Sequence, residues 1–382
     1  MTGIHILEFI LIMIVLVILH EMGHMVVAKW CGMRVERFSV FFGRPLWSFT
    51  KGETQYGVGW LPLGGYVKIT GMSREELFDR EYDAEGRMIS ETPVAPEIAA
   101  RAYCNSTTPR KVATILAGPM ANVLVAIVLF AVSFWVGYPR YESSATISTV
   151  SADTPAAIAG LRPDDRLTQI NALKVYQFSD TQEANVEAAR KVLQTNVGKP
   201  VTLKVLRDGA MLTIVTPPLA ADPEDPTIGR LGITFRQDKV GVDRQGVFEG
   251  LGSAVRFTGF LTKEQTLALG KLVTGDKEVR DQVQGPIGMG ATYNDFAGEG
   301  WGTILRFAGI ISLILAIMNL IPLLPLDGGH IVFALAERIR GRHLSLAVYQ
   351  RASIIGIGIV LVLAFFGFSN DITRLTGSGF TP

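Results

Sequence analysis

Four long apolar runs dominate the pattern of hydrophobic and polar positions along the chain. They extend from about Ile4 to Ala28, between Lys111 and Arg140, between Arg306 and Asp327, and between Arg351 and Asp371. Each can supply the roughly 20 mostly apolar residues that a membrane-spanning helix needs. Trp30, Trp135 and Trp301 lie at the ends of these runs, as in the aromatic belts at membrane interfaces. The pattern predicts a polytopic α-helical membrane protein of about four spans.

A cleaved signal peptide is the alternative interpretation of the first run. Such a peptide needs a basic segment before its apolar core and a small-residue cleavage site after it. Here no Lys or Arg precedes the run, and His-Glu-Met-Gly-His over residues 20–24 follows its core. We therefore interpret the first run as a span.

The composition agrees with a membrane protein and excludes several other classes. Of 382 residues, 48% are apolar and 19% charged, whereas soluble domains carry about 25% charged residues. The net charge of +1 gives no reason to expect a nucleic-acid partner. Two cysteines exclude a disulfide framework and a zinc site built from cysteines.

Lys and Arg residues near the ends of the runs predict the orientation. With four spans, one side carries Lys29, Arg34, Arg37, Arg101, Arg110, Lys111, Arg338, Arg340, Arg342 and Arg351. The other side carries Arg140, Arg306 and Arg374. Because cytoplasmic loops are rich in Lys and Arg, we expect residues 30–110 and 337–351 in the cytoplasm. Residues 140–300 then face outward, into the periplasm if the membrane is a bacterial inner (plasma) membrane.

The segment 141–237 has a polar, β-rich pattern that interrupts the apolar runs. It contains Ala-Gly-Leu-Arg-Pro-Asp-Asp-Arg-Leu at 159–167 and, later, two β-rich runs joined by Arg-Asp-Gly at 207–209, which predict a hairpin. This arrangement resembles the PDZ domain of bacterial proteases, although Asp164 stands where that family usually has Gly. An unrelated small β domain is the alternative. A PDZ groove binds an extended segment by adding a strand to its sheet.

Residues 238–300 carry apolar side chains mixed with Lys and Glu, notably over 248–280. The pattern predicts an amphipathic, interfacial linker. An ordinary surface helix fits the same pattern.

His20-Glu21-Met22-Gly23-His24 is the first candidate for chemistry. On a helix, residues four apart share a face, so both imidazoles can reach one Zn²⁺. Glu21 then lies beside the metal and can take a proton from its water. Three ionisable groups at the end of an apolar run are costly without a partner, and a metal in a polar cavity supplies one.

A catalytic zinc usually has three protein ligands, and Asp327 is the best candidate for the third. It follows Pro322 and Pro325, which break the third run near its cytoplasmic end. We expect it to cap a helix that begins near Gly328, and a cap without any metal is the alternative. His330 lies one helical turn further and is a candidate for supporting a metal ligand.

These motifs together resemble the site-2 protease family of intramembrane zinc metalloproteases. The resemblance rests on His-Glu-x-x-His in the first run and on Asn-x-x-Pro-x-x-Pro-Leu-Asp-Gly-Gly-His over 319–330. Gly-Pro-x-x-Asn at 118–122 and Gly-Pro-x-Gly at 285–288 match further family motifs. With one PDZ-like domain, the chain resembles the bacterial regulator of sigma-E protease type. The resemblance implies cleavage of single-span membrane proteins, such as anti-sigma factors already trimmed by another protease.

The stretch 55–68 alternates apolar and small residues and, with 38–42, predicts a hairpin that dips into the membrane. Its free edge could pair with an unwound substrate. The resemblance implies substrate binding by Gly57 and Gly59, and by the amide of Asn319. A cytoplasmic hairpin is the alternative.

The predicted domains are a first half of a membrane protease core over 1–137 with a re-entrant β segment at 38–70, a PDZ-like domain over 141–237, a linker over 238–300, and a second half of the core over 301–382. The predicted activity is peptide hydrolysis that uses Zn²⁺ held by His20, His24 and Asp327, with Glu21 as the base. A transporter with broken helices and a membrane PDZ scaffold with an inert metal site are the rival hypotheses.

Overall fold

The computed structural model describes residues 3–72, 74–82, 88–175, 182–222 and 225–376. Its elements follow one another in this order: α1 (Gly3–Trp30), β1 (Val35–Lys51), β2 (Thr54–Ile69), a 3₁₀ turn (Arg74–Leu77), β3 (Phe78–Tyr82), β4 (Met88–Pro93), α2 (Pro96–Ala100), α3 (Thr108–Val136), β5 (Tyr138–Val150), α4 (Pro155–Ile158), β6 (Arg166–Ile170), β7 (Leu173–Lys174), α5 (Gln182–Gln194), β8 (Thr202–Arg207), β9 (Ala210–Val215), β10 (Ala220–Ala221), β11 (Gly229–Arg230), β12 (Ile233–Asp243), α6 (Val247–Val273), α7 (Lys277–Gln282), α8 (Pro286–Ala297), α9 (Trp301–Asn319), α10 (Asp327–Arg340) and α11 (Leu346–Thr376).

The chain folds as two compact units. The helical unit contains Met1–Tyr138 and Arg244–Pro382, and the inserted unit contains Pro139–Asp243. The inserted unit includes all of the segment 141–237. It also takes in the first residues of the segment 238–300, because β12 continues to Asp243.

Four helices of the described residues are long and apolar enough to cross a membrane. They are α1, α3, α9 and α11, with 28, 29, 19 and 31 residues. Each coincides with one of the four apolar runs, so the prediction of a polytopic α-helical membrane protein with an inserted β domain is confirmed.

The helix α3 is the centre of the helical unit, since it packs against α1, α6, α9 and α10. Small residues allow its closest contacts. A Cβ built on Gly23 of α1 would lie 2.5 Å from the carbonyl oxygen of Ala117, so that α1 and α3 meet there backbone to backbone. Further along α3, Ser133 Oγ donates a 2.6 Å hydrogen bond to the carbonyl oxygen of Gly302 on α9.

The strands β1 and β2 both bend, and their four arms form one small antiparallel sheet. The first arm of β1, residues 35–40, pairs with residues 65–69 on one side and with residues 55–58 on the other. The second arm of β1, residues 45–51, pairs with residues 54–59. The segment 65–69 therefore lies at one edge of the sheet. Large apolar side chains project from the sheet into solvent, and Leu46, Trp47 and Trp60 are 75%, 62% and 58% exposed.

A buried carboxylate on α11 caps the start of α8. The side chain of Asp371 is fully buried. It accepts hydrogen bonds from the backbone N–H groups of Gly285, Ile287 and Gly288 at 3.1, 3.1 and 2.9 Å. No side chain of α8 caps its own N-terminus. The negative charge thus satisfies the unpaired N–H groups of the first turn and lies at the positive end of the helix dipole.

The inserted unit is built on a six-stranded sheet. Its strand order is β12-β5-β6-β8-β9, with β7 paired to β6. One side of α5 packs on the core of this unit through Val186, Ala189 and Leu193, which recur at helical spacing. The predicted hairpin is confirmed: β8 pairs with β9, and Asp208 and Gly209 take the left-handed conformation that a two-residue hairpin turn requires.

An ion pair with a buried carboxylate, between Asp165 and the partly buried Arg207, stabilises the inserted unit. The guanidinium of Arg207 donates two 2.6 Å hydrogen bonds to the two carboxylate oxygens of Asp165, and the backbone N–H of Arg162 donates a third, at 2.8 Å. Burial acts to raise the pKa of Asp165. The hydrogen bonds and positive charge of Arg207 outweigh it and hold that pKa below its usual value.

We expect Asp371→Ala to lower the thermal stability of the purified protein in detergent micelles. The change leaves three buried N–H groups without an acceptor, and each such group costs about 1–3 kcal/mol. The measurement is the unfolding midpoint by tryptophan fluorescence. Asp295→Ala removes an exposed carboxylate from α8 and is the matched control. Equal midpoints for the two variants would contradict the capping role.

We expect Asp165→Asn to destabilise the inserted unit by roughly 2 kcal/mol at pH 7, because it removes the charged acceptor of the Arg207 hydrogen bonds. The pKa of Asp165 is depressed in the folded state, so its contribution is complete above the unfolded value of about 3.9. It is lost as the pH falls through the folded pKa. The free energy of unfolding of the wild type should therefore decrease as the pH falls below about 4. That of the variant should not show this decrease, because the variant has no carboxylate at position 165 to protonate.

The measurement is hydrogen exchange of residues 139–243 in the full chain, followed by mass spectrometry. Asp164→Asn is the matched control, because Asp164 pairs with Arg236 at the surface and its side chain is 78% exposed. A large effect of both variants, or of neither, would contradict the assignment to the pair of Asp165 and Arg207.

Candidate active site

His20 and His24 project from one face of α1 toward a common point. They lie one turn apart, and their rings are 4.8 Å apart between centroids, with an angle of 84° between the ring planes. Both residues are buried. Their Nε2 atoms lie 3.2 Å apart. The arrangement follows directly from the i, i+4 spacing on a regular helix.

The break between α9 and α10 brings Asp327 to the two histidines. Residues 320–326 are irregular, and α10 starts at Asp327. Asp327 Oδ2 lies 3.1 Å from His20 Nε2 and 3.3 Å from His24 Nε2. The expectation that Asp327 caps a helix beginning near Gly328 is wrong, because α10 begins at Asp327 itself and its cap position, Leu326, has no side-chain cap. The carboxylate is turned toward the imidazoles instead.

The three donor atoms fit a zinc ion. Ligands at 2.0–2.1 Å from a tetrahedral Zn²⁺ are roughly 3.3 Å apart, and here the three separations are 3.1, 3.2 and 3.3 Å. Asp327 Oδ2 is buried and has no hydrogen-bond partner among the described residues. Two neutral imidazoles and one carboxylate are a donor set typical of catalytic zinc. Among the described residues, these three side chains form the one such group of possible metal ligands.

The helix α3 contacts the far side of both imidazoles. His24 Nδ1 lies 2.9 Å from the carbonyl oxygen of Thr114, and His20 Nδ1 lies 3.3 Å from Nδ2 of Asn122. Gly118 lies between these two residues on α3, and a Cβ at that position would collide with the His24 ring. The glycine of the Gly-Pro-x-x-Asn motif is therefore required where α3 passes the His24 ring.

Glu21 lies between the histidines and the edge of the small sheet. A Cβ built on Gly65 would lie 3.4 Å from Glu21 Cγ, so the side chain packs against this edge. A cavity of about 350 Å³ opens at this point. It is lined by His20, Glu21, His24, Tyr66, Val67, Ile69, Met72, Ile115, Asn319, Pro325, Asp327 and His330.

The structure brings most of the predicted site residues to this cavity. Asn319 and His330 line it together with Glu21 and the three predicted metal ligands. Burial holds the pKa of His330 below its ordinary value, although Asp327 acts in the opposite direction. Gly57 and Gly59 are not among the lining residues; they lie in the sheet, opposite Ser48 and Pro45.

Sequence reasoning missed the segment 66–69 and the contacts from α3. Tyr66, Val67 and Ile69 belong to the alternating stretch that predicts the hairpin, but alternation does not show which arm of a bent strand lies at the cavity. Asn122 is part of the Gly-Pro-x-x-Asn motif, so a signal for it was present.

Comparison with known proteins agrees with this geometry. The model of peptidase family M50 matches residues 8–363. Over 386 residues, the chain is 34% identical to a protein of Agrobacterium fabrum named "Putative zinc metalloprotease Atu1380", with 99% of this chain and 97% of that protein covered. It is 31% identical to the zinc metalloprotease Rip1 of Mycobacterium bovis, over 87% of this chain and 85% of that protein. It is 25% identical to the zinc metalloprotease RasP of Geobacillus kaustophilus, over 97% and 98%.

Family membership and the four membrane-spanning helices lead to the same conclusion. Membership of a peptidase family also decides against the transporter and scaffold hypotheses. The chain belongs to peptidase family M50, the site-2 protease family, and is an intramembrane zinc metalloprotease.

Proposed function

We propose that His20, His24 and Asp327 hold the catalytic Zn²⁺ and that Glu21 is the general base for hydrolysis of a peptide bond within the membrane. The observation that carries this assignment is the convergence of three buried donor atoms at 3.1–3.3 Å from one another, beside Glu21. When bound, Zn²⁺ polarises the scissile carbonyl and makes water a better nucleophile at neutral pH.

Glu21 is positioned for proton transfer. It removes the proton from the attacking water and later gives it to the leaving amine. Its side chain lies against the edge of the sheet at Gly65. Asn319, which also lines the cavity, donates from its amide to the backbone of the substrate.

The sheet edge beside Glu21 receives the substrate. A helical span hides its peptide bonds, so a substrate has to unwind before cleavage, and an extended segment can then add to an open strand edge. The edge segment 65–69 contributes Tyr66, Val67 and Ile69 to the cavity wall. Gly57 and Gly59 do not line the cavity. They lie within the sheet, where they pair with β1.

The substrates are single-span membrane proteins, such as anti-sigma factors already trimmed by another protease. The exposed Leu46, Trp47 and Trp60 suit a sheet that dips into the bilayer, because they would otherwise expose apolar surface to water. We place the protein in a bacterial inner membrane, with the active site near the cytoplasmic side. The excess of Lys and Arg on that side and the bacterial sources of the relatives support this orientation.

The inserted unit is a periplasmic PDZ-like domain in this proposal. Its last strand, β12, is at one end of the sheet. A cavity of about 280 Å³ is lined by residues of α5 and by residues 228–235, which include the start of β12. An open edge strand beside a helix is the arrangement with which PDZ domains bind an extended peptide. The domain acts on the substrate's outer part, as a size filter or as a docking site.

We expect Glu21→Gln to abolish cleavage while zinc binding is retained. Removing a general base lowers rates by about 10²–10⁴-fold, whereas Glu21 is not a metal ligand in this proposal. The assay is co-expression with a single-span reporter whose outer domain has been trimmed, followed by immunoblotting, with zinc content measured on the purified proteins. Glu8→Gln is the matched control, because Glu8 lies on the same helix and accepts a hydrogen bond from Tyr293 instead.

Two outcomes would contradict the assignment of Glu21. Undiminished cleavage by Glu21→Gln would remove it from catalysis. Loss of zinc from Glu21→Gln but not from Glu8→Gln would make it part of the metal site.

We expect Asp327→Ala to lose both zinc and activity. The variant leaves two imidazoles, one ligand short of the three that catalytic zinc sites use. Zinc per chain is measured by elemental analysis after dialysis against a weak chelator, with Asp371→Asn as a control that keeps an acceptor oxygen at another buried aspartate. Full zinc content in Asp327→Ala would exclude Asp327 as a ligand.

A further inference from the structure

The helix α3 places one polar group next to Nδ1 of each histidine of the proposed zinc site. Nδ1 of each imidazole points to α3, and Nε2 of each points to Asp327 Oδ2. Opposite His24 Nδ1 is a carbonyl oxygen, that of Thr114. Opposite His20 Nδ1 is the side-chain amide of Asn122, which is completely buried.

Metal binding through Nε2 determines where the imidazole proton must be. A neutral imidazole has one N–H and one lone pair, so a ring that offers its lone pair from Nε2 carries the proton on Nδ1. That N–H needs an acceptor when it is buried. For His24 the carbonyl oxygen of Thr114 meets this need, at 2.9 Å.

For His20 the acceptor can come from Asn122. The amide faces His20 Nδ1 with Nδ2, at 3.3 Å, and Asn122 Oδ1 is buried without a hydrogen-bond partner among the described residues. Nδ2 is a donor and cannot accept the N–H of His20. Rotation of the amide by 180° exchanges nitrogen and oxygen, which the hydrogen-bond network alone decides. The rotated amide gives an acceptor to His20 Nδ1–H and a partner to the orphaned Oδ1.

The backbone of Asn122 is fixed independently of its side chain. Its carbonyl oxygen accepts a 2.8 Å hydrogen bond from Ser312 Oγ on α9. The backbone at Asn122 is therefore held against α9, and this places the buried side chain beside His20.

We propose that Asn122 is a positioning residue for zinc: its Oδ1 accepts the Nδ1–H of His20, fixes the tautomer of that ring and presents the Nε2 lone pair to the metal. The neutral amide does this without adding a third carboxylate to those of Glu21 and Asp327. This inference rests on the proposed zinc site.

The test is the zinc affinity of the purified full chain in detergent, measured by competition with a chromogenic chelator. Loss of an outer contact to a metal ligand typically weakens binding 10–100-fold, and we expect this for Asn122→Leu. Asn122→Asp keeps an acceptor oxygen and should bind zinc within a few-fold of the wild type. Ser133→Ala is the matched control, because it removes another buried polar group of α3 that bonds α9, and it should leave the affinity unchanged.

The outcomes separate the inference from the zinc site itself. If the wild type binds no zinc, the proposed site fails. If the wild type binds zinc and Asn122→Leu binds it equally well, the positioning role alone is wrong. It is also wrong if Asn122→Asp is as weak as Asn122→Leu, or if Ser133→Ala weakens binding to the same degree, because loss of helix packing then explains the effect. Should Asn122→Leu fail to fold, judged by its unfolding midpoint in chelator, Asn122→Ala replaces it with the same expectation.

Discussion

The close packing of α1 against α3 is the contact on which the rest of the site depends. Gly23 and Gly118 lie where the two helices meet, and neither position has room for a Cβ. Because the helices approach so closely, groups on α3 reach Nδ1 of both histidines, while the opposite side of each ring stays open toward Asp327. Without this contact, the histidines would still share a face of α1, but nothing would fix the orientation of their rings.

The position of the site inside an apolar helix has an energetic consequence. Ionisable groups within a span cost about 2.5–3.5 kcal/mol each on the insertion scale, and His20, Glu21 and Asp327 meet in one small volume. In the proposed site, a bound cation would offset the two carboxylate charges and would take as a ligand the buried Oδ2 of Asp327, which has no hydrogen-bond partner among the described residues. The protein thus holds a polar reaction centre in the membrane by packing it between helices and covering it with the edge of a sheet.

Local patterns in the sequence predicted the parts of the structure that depend on local physics. Hydropathy located the four spans, the i, i+4 spacing identified His20 and His24, and the broken helix end indicated Asp327. The bends in β1 and β2 could not be predicted from the sequence. Residues 35–40 pair with two separate segments of β2, and no alternation pattern encodes that choice. The Gly-Pro-x-x-Asn motif singled out Asn122, but the sequence did not show that its partner is His20, which is 102 residues away in the chain.

Zinc K-edge X-ray absorption of the purified full chain is the decisive measurement for the ligand set of His20, His24 and Asp327, because it reports the ligands of the metal itself. We expect a first shell of nitrogen and oxygen atoms at about 2.0–2.1 Å, with imidazole scattering from two histidines and no sulfur. A sulfur shell near 2.3 Å, or scattering without imidazole, would contradict it.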